Sequence, residues 1–135
     1  MAFFKILIPN NPMYWKVMYV CQMKQNSQLF KGSLSTIVLK LLSEQDKMYG
    51  YEITKKVKEL TGGVVNITEG ALYPALHKLE AEGLLTVTME NIGNRPRKYY
   101  KLTRIGKKEA KNKLAELRDF FQQMQLVLNL QLSIN

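Results

Sequence analysis

Residues 68–102 read TEGALYPALHKLEAEGLLTVTMENIGNRPRKYYKL, and the change of period within this stretch decides the fold. Leu72, Leu76 and Leu79 recur at spacings of four and three, which is one face of a helix, and Gly83 follows as a natural C-cap. Thr68 is placed as the N-cap, its hydroxyl able to accept from the orphan N–H groups of the first turn. Pro74 lies too deep to be the first helical residue, so the helix is expected to start late or to bend there. After Leu84 the period falls to two. Leu85, Val87 and Met89 alternate with polar residues, a Gly- and Asn-containing turn spans 91–96, and Tyr100 and Leu102 then share a face. Two such strands around a short turn make a β-hairpin.

Upstream, Ser33 can cap a helix carrying Leu34, Ile37, Val38, Leu41 and Leu42, and residues 43–47 form a polar turn. A second helix puts Ile53, Val57 and Leu60 on one face and stops at Gly62-Gly63; Lys55, Lys56 and Lys58 read as its solvated side. Downstream, Thr103 caps a long helix in which Ala110, Leu114, Leu117, Phe121, Met124 and Leu128 follow at four, three, four, three and four. That is the seam of a helix packing lengthwise on another helix, and Phe120 and Val127 widen it. The order of three helices, a hairpin and a long helix predicts a mainly α fold with a small β-hairpin. It is the order of a winged helix-turn-helix domain with an added C-terminal dimerisation helix.

The chain has 135 residues, and its 46% hydrophobic content is enough for a buried core. Cys21 and His77 are the only residues of their types, too few for a disulfide or a structural zinc site. No cofactor is expected, and no apolar run reaches the roughly 18–20 residues of a membrane span. The expected location is cytoplasmic. Residues 1–27 read as an N-terminal arm: Pro9 and Pro12 interrupt the apolar start, and Met23 opens a polar stretch, which suggests an upstream start or a loosely attached segment. Residues 28–103 would be the DNA-binding domain and residues 104–135 the dimerisation helix.

The charge is the outlier. Twenty Lys and Arg against eleven Asp and Glu give +9, which suggests a polyanionic partner. Residues 95–113 hold nine of the basic side chains against one acid, Glu109, so the excess gathers in the hairpin and the helix start behind it. A helix fits the major groove, where base edges are distinguishable, and a basic hairpin tip with Asn94, Arg95, Arg97 and Lys98 can lie along the backbone. Pro96 is expected to stiffen the turn between the two arginines.

The segments Lys31-Gly32-Ser33-Leu34, Leu39-Lys40-Leu41-Leu42, Met48-Tyr49-Gly50-Tyr51-Glu52-Ile53, residues 69–80 (EGALYPALHKLE) and Glu82-Gly83-Leu84-Leu85 together resemble the PadR family of bacterial repressors. The likeness covers roughly residues 29–105, and the pairing of Tyr-Gly-Tyr-Glu-Ile with Leu-Tyr-Pro-Ala-Leu is its most specific part. The resemblance implies a homodimeric repressor on a near-palindromic double-stranded DNA operator. It also implies release by a small-molecule or stress signal, often a small hydrophobic or phenolic inducer.

Carried onto this chain, the recognition helix is residues 68–82, with Thr68, Glu69, Tyr73, His77 and Lys78 toward DNA. Tyr73 would stack on a sugar or donate to a phosphate, unless it is a half-buried core aromatic. His77 reads as a surface or phosphate contact rather than a metal ligand. Glu69 either favours the helix dipole or accepts from a cytosine amino group. Gly50 is expected to permit a tight entry to the second helix, with Tyr49 and Tyr51 packed on the fold, hydroxyls outward. The expected dimer contacts are Leu114, Leu117, Phe121, Met124 and Leu128. Against an enzyme, the sequence has no nucleophile–base pair, metal set or Gly-rich phosphate loop. The remaining alternatives are a winged-helix interaction module without strong DNA binding, and an RNA-binding protein, for which no stacked-aromatic sheet motif is present.

Overall fold

The leucine stripes read from the sequence meet in one core. The structure, a computed structural model, describes residues 28–130. Its elements are α1 (Gln28–Glu44), β1 (Met48–Tyr49), α2 (Gly50–Leu60), α3 (Glu69–Ala81), β2 (Leu85–Ile92), β3 (Arg95–Leu102) and α4 (Arg104–Leu128). Leu34, Val38, Leu39, Leu41 and Leu42 of α1 pack with Ile53 and Val57 of α2 and with Leu72, Leu76 and Leu79 of α3. Leu85, Tyr100 and Leu102 close this core from the sheet, and Ala110 closes it from α4. This is the mainly α winged-helix arrangement the element order predicts.

Some local expectations change. Ser33 is not a cap: α1 already runs through it, and its hydroxyl donates to the Leu29 carbonyl at 3.0 Å. Leu60 is not part of the buried face of α2 but is 66% exposed, because the chain turns away at Thr61 and the left-handed Gly62 and Gly63. Helix α3 neither starts late nor breaks at Pro74; it runs from Glu69 with Pro74 inside. Pro74 is the sixth helical residue, past the first-turn donors that lack partners, so its missing N–H leaves the Gly70 carbonyl without its helical bond, a loss confined to one bond near the helix start. Thr68 has the extended backbone of an N-cap, yet its side chain makes no cap bond; its carbonyl accepts from Ala71 and Leu72 at 3.1 and 3.0 Å.

The end of α3 and the start of α4 are as read. Gly83 (φ 75) closes α3: its N–H donates to Glu80 and the Leu84 N–H to Leu79, both at 2.9 Å, the paired bonds of a Schellman cap. The Thr103 hydroxyl accepts from Gly106 N–H at 2.9 Å and donates to the Gly83 carbonyl at 2.7 Å. One side chain therefore caps α4 and ties it to the end of α3.

The sheet is antiparallel in the order β1-β3-β2. Leu85 lies opposite Leu102 and Val87 opposite Tyr100, which fixes the core face. The alternation fades toward the tip, so Met89 is 59% exposed rather than buried. The turn is tighter than the six residues expected. Ile92 already pairs with Arg95, leaving Gly93 and Asn94 as the loop, with Gly93 at φ 64 as a two-residue hairpin requires. Pro96 consequently sits in β3 and stiffens a strand, not a turn. Strand β1 was not visible in the sequence, since two residues have no period. It pairs Met48 with Tyr100 and Tyr49 with Tyr99.

Candidate nucleic-acid interface

On α3, burying Leu72, Leu76 and Leu79 turns the opposite side outward. Gly70, Pro74, His77 and Ala81, spaced four, three and four, are exposed there, with Lys78 beside them. His77 and Lys78 are thus exposed, as residues outside the leucine stripe should be. Glu69 is exposed in the first turn, and Thr68 is half-buried at the cap. Tyr73 is also half-buried, packed against the core, and a Cβ on Gly50 would lie 3.0 Å from its hydroxyl. The glycine at 50 thus admits the Tyr73 ring against the start of α2. Gly70, Pro74 and Ala81 were overlooked as surface residues; the complement of the leucine stripe was the signal for them.

The hairpin forms the wing. Asn94, Arg95 and Lys98 are exposed, and Arg97 is half-buried. Its guanidinium lies over the Tyr49 ring, 4.6 Å from the centroid. Tyr49 meets Tyr99 edge-on at 5.5 Å and stacks on Tyr51 at 6.2 Å. The Lys47 ammonium lies 5.0 Å over the Tyr99 ring and is ion-paired with Glu90, which holds its pKa above the ordinary lysine value. Strand β1 and its flanks therefore brace the sheet face opposite the core. Tyr51 is 61% exposed, unlike the packed residue expected, and with Lys55, Lys58 and Asn66 it borders an open cleft of about 590 Å³ between α2 and the loop after it.

Part of the basic cluster over 95–113 is committed within the fold. Lys101 pairs with Asp46 at 2.9 Å, and the hydrogen bond from that ammonium holds the Asp46 carboxyl below its usual range. Lys113 lies 3.5 Å from Glu116 and 4.0 Å from Glu109. Arg95, Lys98, Arg104, Lys107, Lys108 and Lys111 remain exposed. Among the described residues no His, Cys, Asp and Glu cluster could hold a metal ion, and no helix is long and apolar enough to cross a membrane.

Helix α4 spends its seam in two places. Ala110 is buried in the domain core, and Leu114, Leu117 and Met124 are half-buried. Phe121 and Leu128 are 54% and 59% exposed, joined by Phe120, Leu126, Val127 and Leu130. The first part of the stripe folds onto its own domain, and the second presents large apolar side chains outward.

A recognition-type helix, a braced basic wing and a trailing amphipathic helix define a winged helix-turn-helix protein of the regulatory kind. The model of the transcriptional regulator PadR-like family matches residues 38–112, and the chain belongs to that family. Solved structures agree. A transcriptional regulator from Clostridium thermocellum superposes with a TM-score of 0.66 at 33% identity, covering 76% of this chain and 96% of that one. A PadR family transcriptional regulator from Eggerthella lenta gives 0.66 at 30% identity over 77% and 88%. The transcriptional regulator YqjI of Escherichia coli is 34% identical over 64 residues, which is 47% of this chain but only 30% of the relative.

Proposed function

We propose that this transcriptional regulator binds double-stranded DNA as a homodimer and acts as a repressor that a small molecule or stress signal releases. The observation that carries the reading is the outward stripe of α3, with His77 and Lys78, on the same small domain as a wing bearing Asn94, Arg95, Arg97 and Lys98. Thr68, Glu69 and Tyr73 flank the stripe at the helix start. Gly70, Pro74 and Ala81 carry little bulk, so the helix backbone can come close to the groove floor. The wing cations supply the sequence-independent phosphate attraction that positions the helix.

The exposed apolar part of α4 supports the dimer. Phe121 and Leu128, seven residues apart and so on one face of α4, are 54% and 59% exposed, and large apolar side chains left open on one face are of the kind that marks an interaction surface. A two-fold axis through paired α4 helices would set the two recognition helices about one DNA turn apart, roughly 34 Å, on a near-palindromic operator. No catalytic step enters this reading.

The test is selection of bound fragments from a random-sequence duplex library, followed by titration of the recovered sequence and of a scrambled control at several salt concentrations. Recovery of a near-palindrome bound at least about 10³-fold more tightly than the control supports operator binding. Equal binding to both, or none to either, overturns it and favours a winged-helix interaction module.

A further inference from the structure

We infer that Tyr49 is a positioning residue for the wing, holding Arg97 so that its guanidinium N–H donors are presented to a DNA phosphate. The inference rests on the DNA-binding reading and adds a residue and a mechanism to it.

Three observations converge. The central carbon of the Arg97 guanidinium lies over the Tyr49 ring, 4.6 Å from its centroid. A guanidinium bonds phosphate through its five N–H donors, so a ring contact at its central carbon leaves donors for phosphate and the two interactions do not compete. Second, Glu90 lies directly across the ladder from Arg97 and would be its natural neutralising partner. Glu90 is instead paired with Lys47, which itself sits over Tyr99. Among the described residues no carboxylate forms an ion pair with Arg97. Third, Tyr49 is held on several sides: it pairs with Tyr99 in the sheet, its ring meets Tyr99 and Tyr51, and its N–H donates to Glu52 at 3.0 Å.

The consequence is a division of labour within the wing. Arg95 and Lys98 are exposed with no ion-pair or ring partner among the described residues, so each must be ordered on binding. Arg97 is ordered beforehand, and a group fixed in its bound geometry loses less freedom on association. Strand β1, only two residues long, thus has a use beyond closing the sheet: it carries the ring that aims the arginine.

The experiment is titration of a 30-base-pair duplex with wild type, Tyr49→Phe, Tyr49→Leu, Arg97→Ala, Arg97→Lys and the Tyr49→Leu/Arg97→Ala double variant, each at several salt concentrations. Circular dichroism checks that each variant is folded. Tyr49→Phe keeps the ring and should bind as wild type. Tyr49→Leu should bind about two- to fivefold more weakly, the range of an exposed cation–π contact. Arg97→Lys keeps the charge but not the flat face, and should weaken binding similarly with little change in salt slope. Arg97→Ala should lower the slope by about one. The double variant should be no weaker than Arg97→Ala alone, because Tyr49 acts through Arg97. Multiplying effects in the double variant, wild-type affinity for Tyr49→Leu, or equal loss for Tyr49→Phe and Tyr49→Leu would each overturn the inference while leaving DNA binding intact. Failure of the wild type to bind any duplex would overturn the functional reading itself, and this inference with it.

Discussion

Gly106 of α4 lies so close to Leu84 that a Cβ on it would fall 2.0 Å from the Leu84 carbonyl oxygen. The same carbonyl accepts from the Thr103 N–H at 3.0 Å, so α4 enters the fold pressed on the segment leaving α3. In an open helix, alanine is better than glycine by about 0.5–1 kcal/mol. Here the clash with backbone wins. Gly106→Ala is expected to lower stability by a net of about 1–3 kcal/mol, the range of overpacking. Urea denaturation checks this, and an unchanged or raised midpoint would contradict the close approach.

The contact between Gly50 and Tyr73 gives a compensating pair. A Cβ at 50 would sit 3.0 Å from the Tyr73 hydroxyl and 3.3 Å from the ring carbon bearing it. Gly50→Ala should cost about 1 kcal/mol, and Tyr73→Phe in the same chain should restore part of it by removing the nearest atom. Thermal melts of the two single variants and the double variant measure the coupling. Strict additivity would count against it.

Phe121 tests the dimer. It is 54% exposed and therefore contributes little to the monomer core. Phe121→Asp should leave the domain folded and shift sedimentation at micromolar concentration from dimer to monomer. Affinity for a two-half-site duplex should fall, since the half-sites are then bound independently. A variant that still sediments as a dimer would move the interface elsewhere.

Tyr100 provides the pH dependence. Its side chain is 1% exposed, and its hydroxyl has no hydrogen-bond partner among the described residues. Burial, followed by the nearby Glu80 and Tyr73, pushes the phenol above its ordinary value of about 10. A raised folded-state pKa means the neutral phenol's contribution is fully present below about pH 10 and is lost as pH rises through the folded value. Wild type should therefore lose stability above about pH 10 more steeply than Tyr100→Phe. At pH 7 the phenylalanine variant should be at least as stable, since burying an unpaired hydroxyl costs about 1–3 kcal/mol. Chemical denaturation at pH 7 and pH 10.5 decides both points; a clearly destabilised variant at pH 7 would reveal a partner for the hydroxyl.

By itself the sequence determined the helix count among the described elements, the hairpin and the position of α3. Those features rest on local period and on local caps: Leu72, Leu76 and Leu79 at helical spacing, Gly83 at the end of α3, and Thr103 at the start of α4. A stripe of leucines must be buried whatever it packs against, so its complement is the surface. The tight Gly93–Asn94 turn was legible in kind though not in extent, because Pro96 and the arginines carry turn and strand signals at once.

Tertiary structure alone decided where long-range partners fall. Strand β1 exists because Tyr99 and Tyr100 lie beside it, though far away in the chain, and nothing in two residues announces that. The same holds for Arg97 on Tyr49, for Glu90 drawn to Lys47, and for Gly106 against Leu84. Only packing showed that the α4 stripe is divided, with Ala110 spent on its own core and Phe121 left outward. Period says that a face is apolar; which neighbour covers it depends on the path of the whole chain.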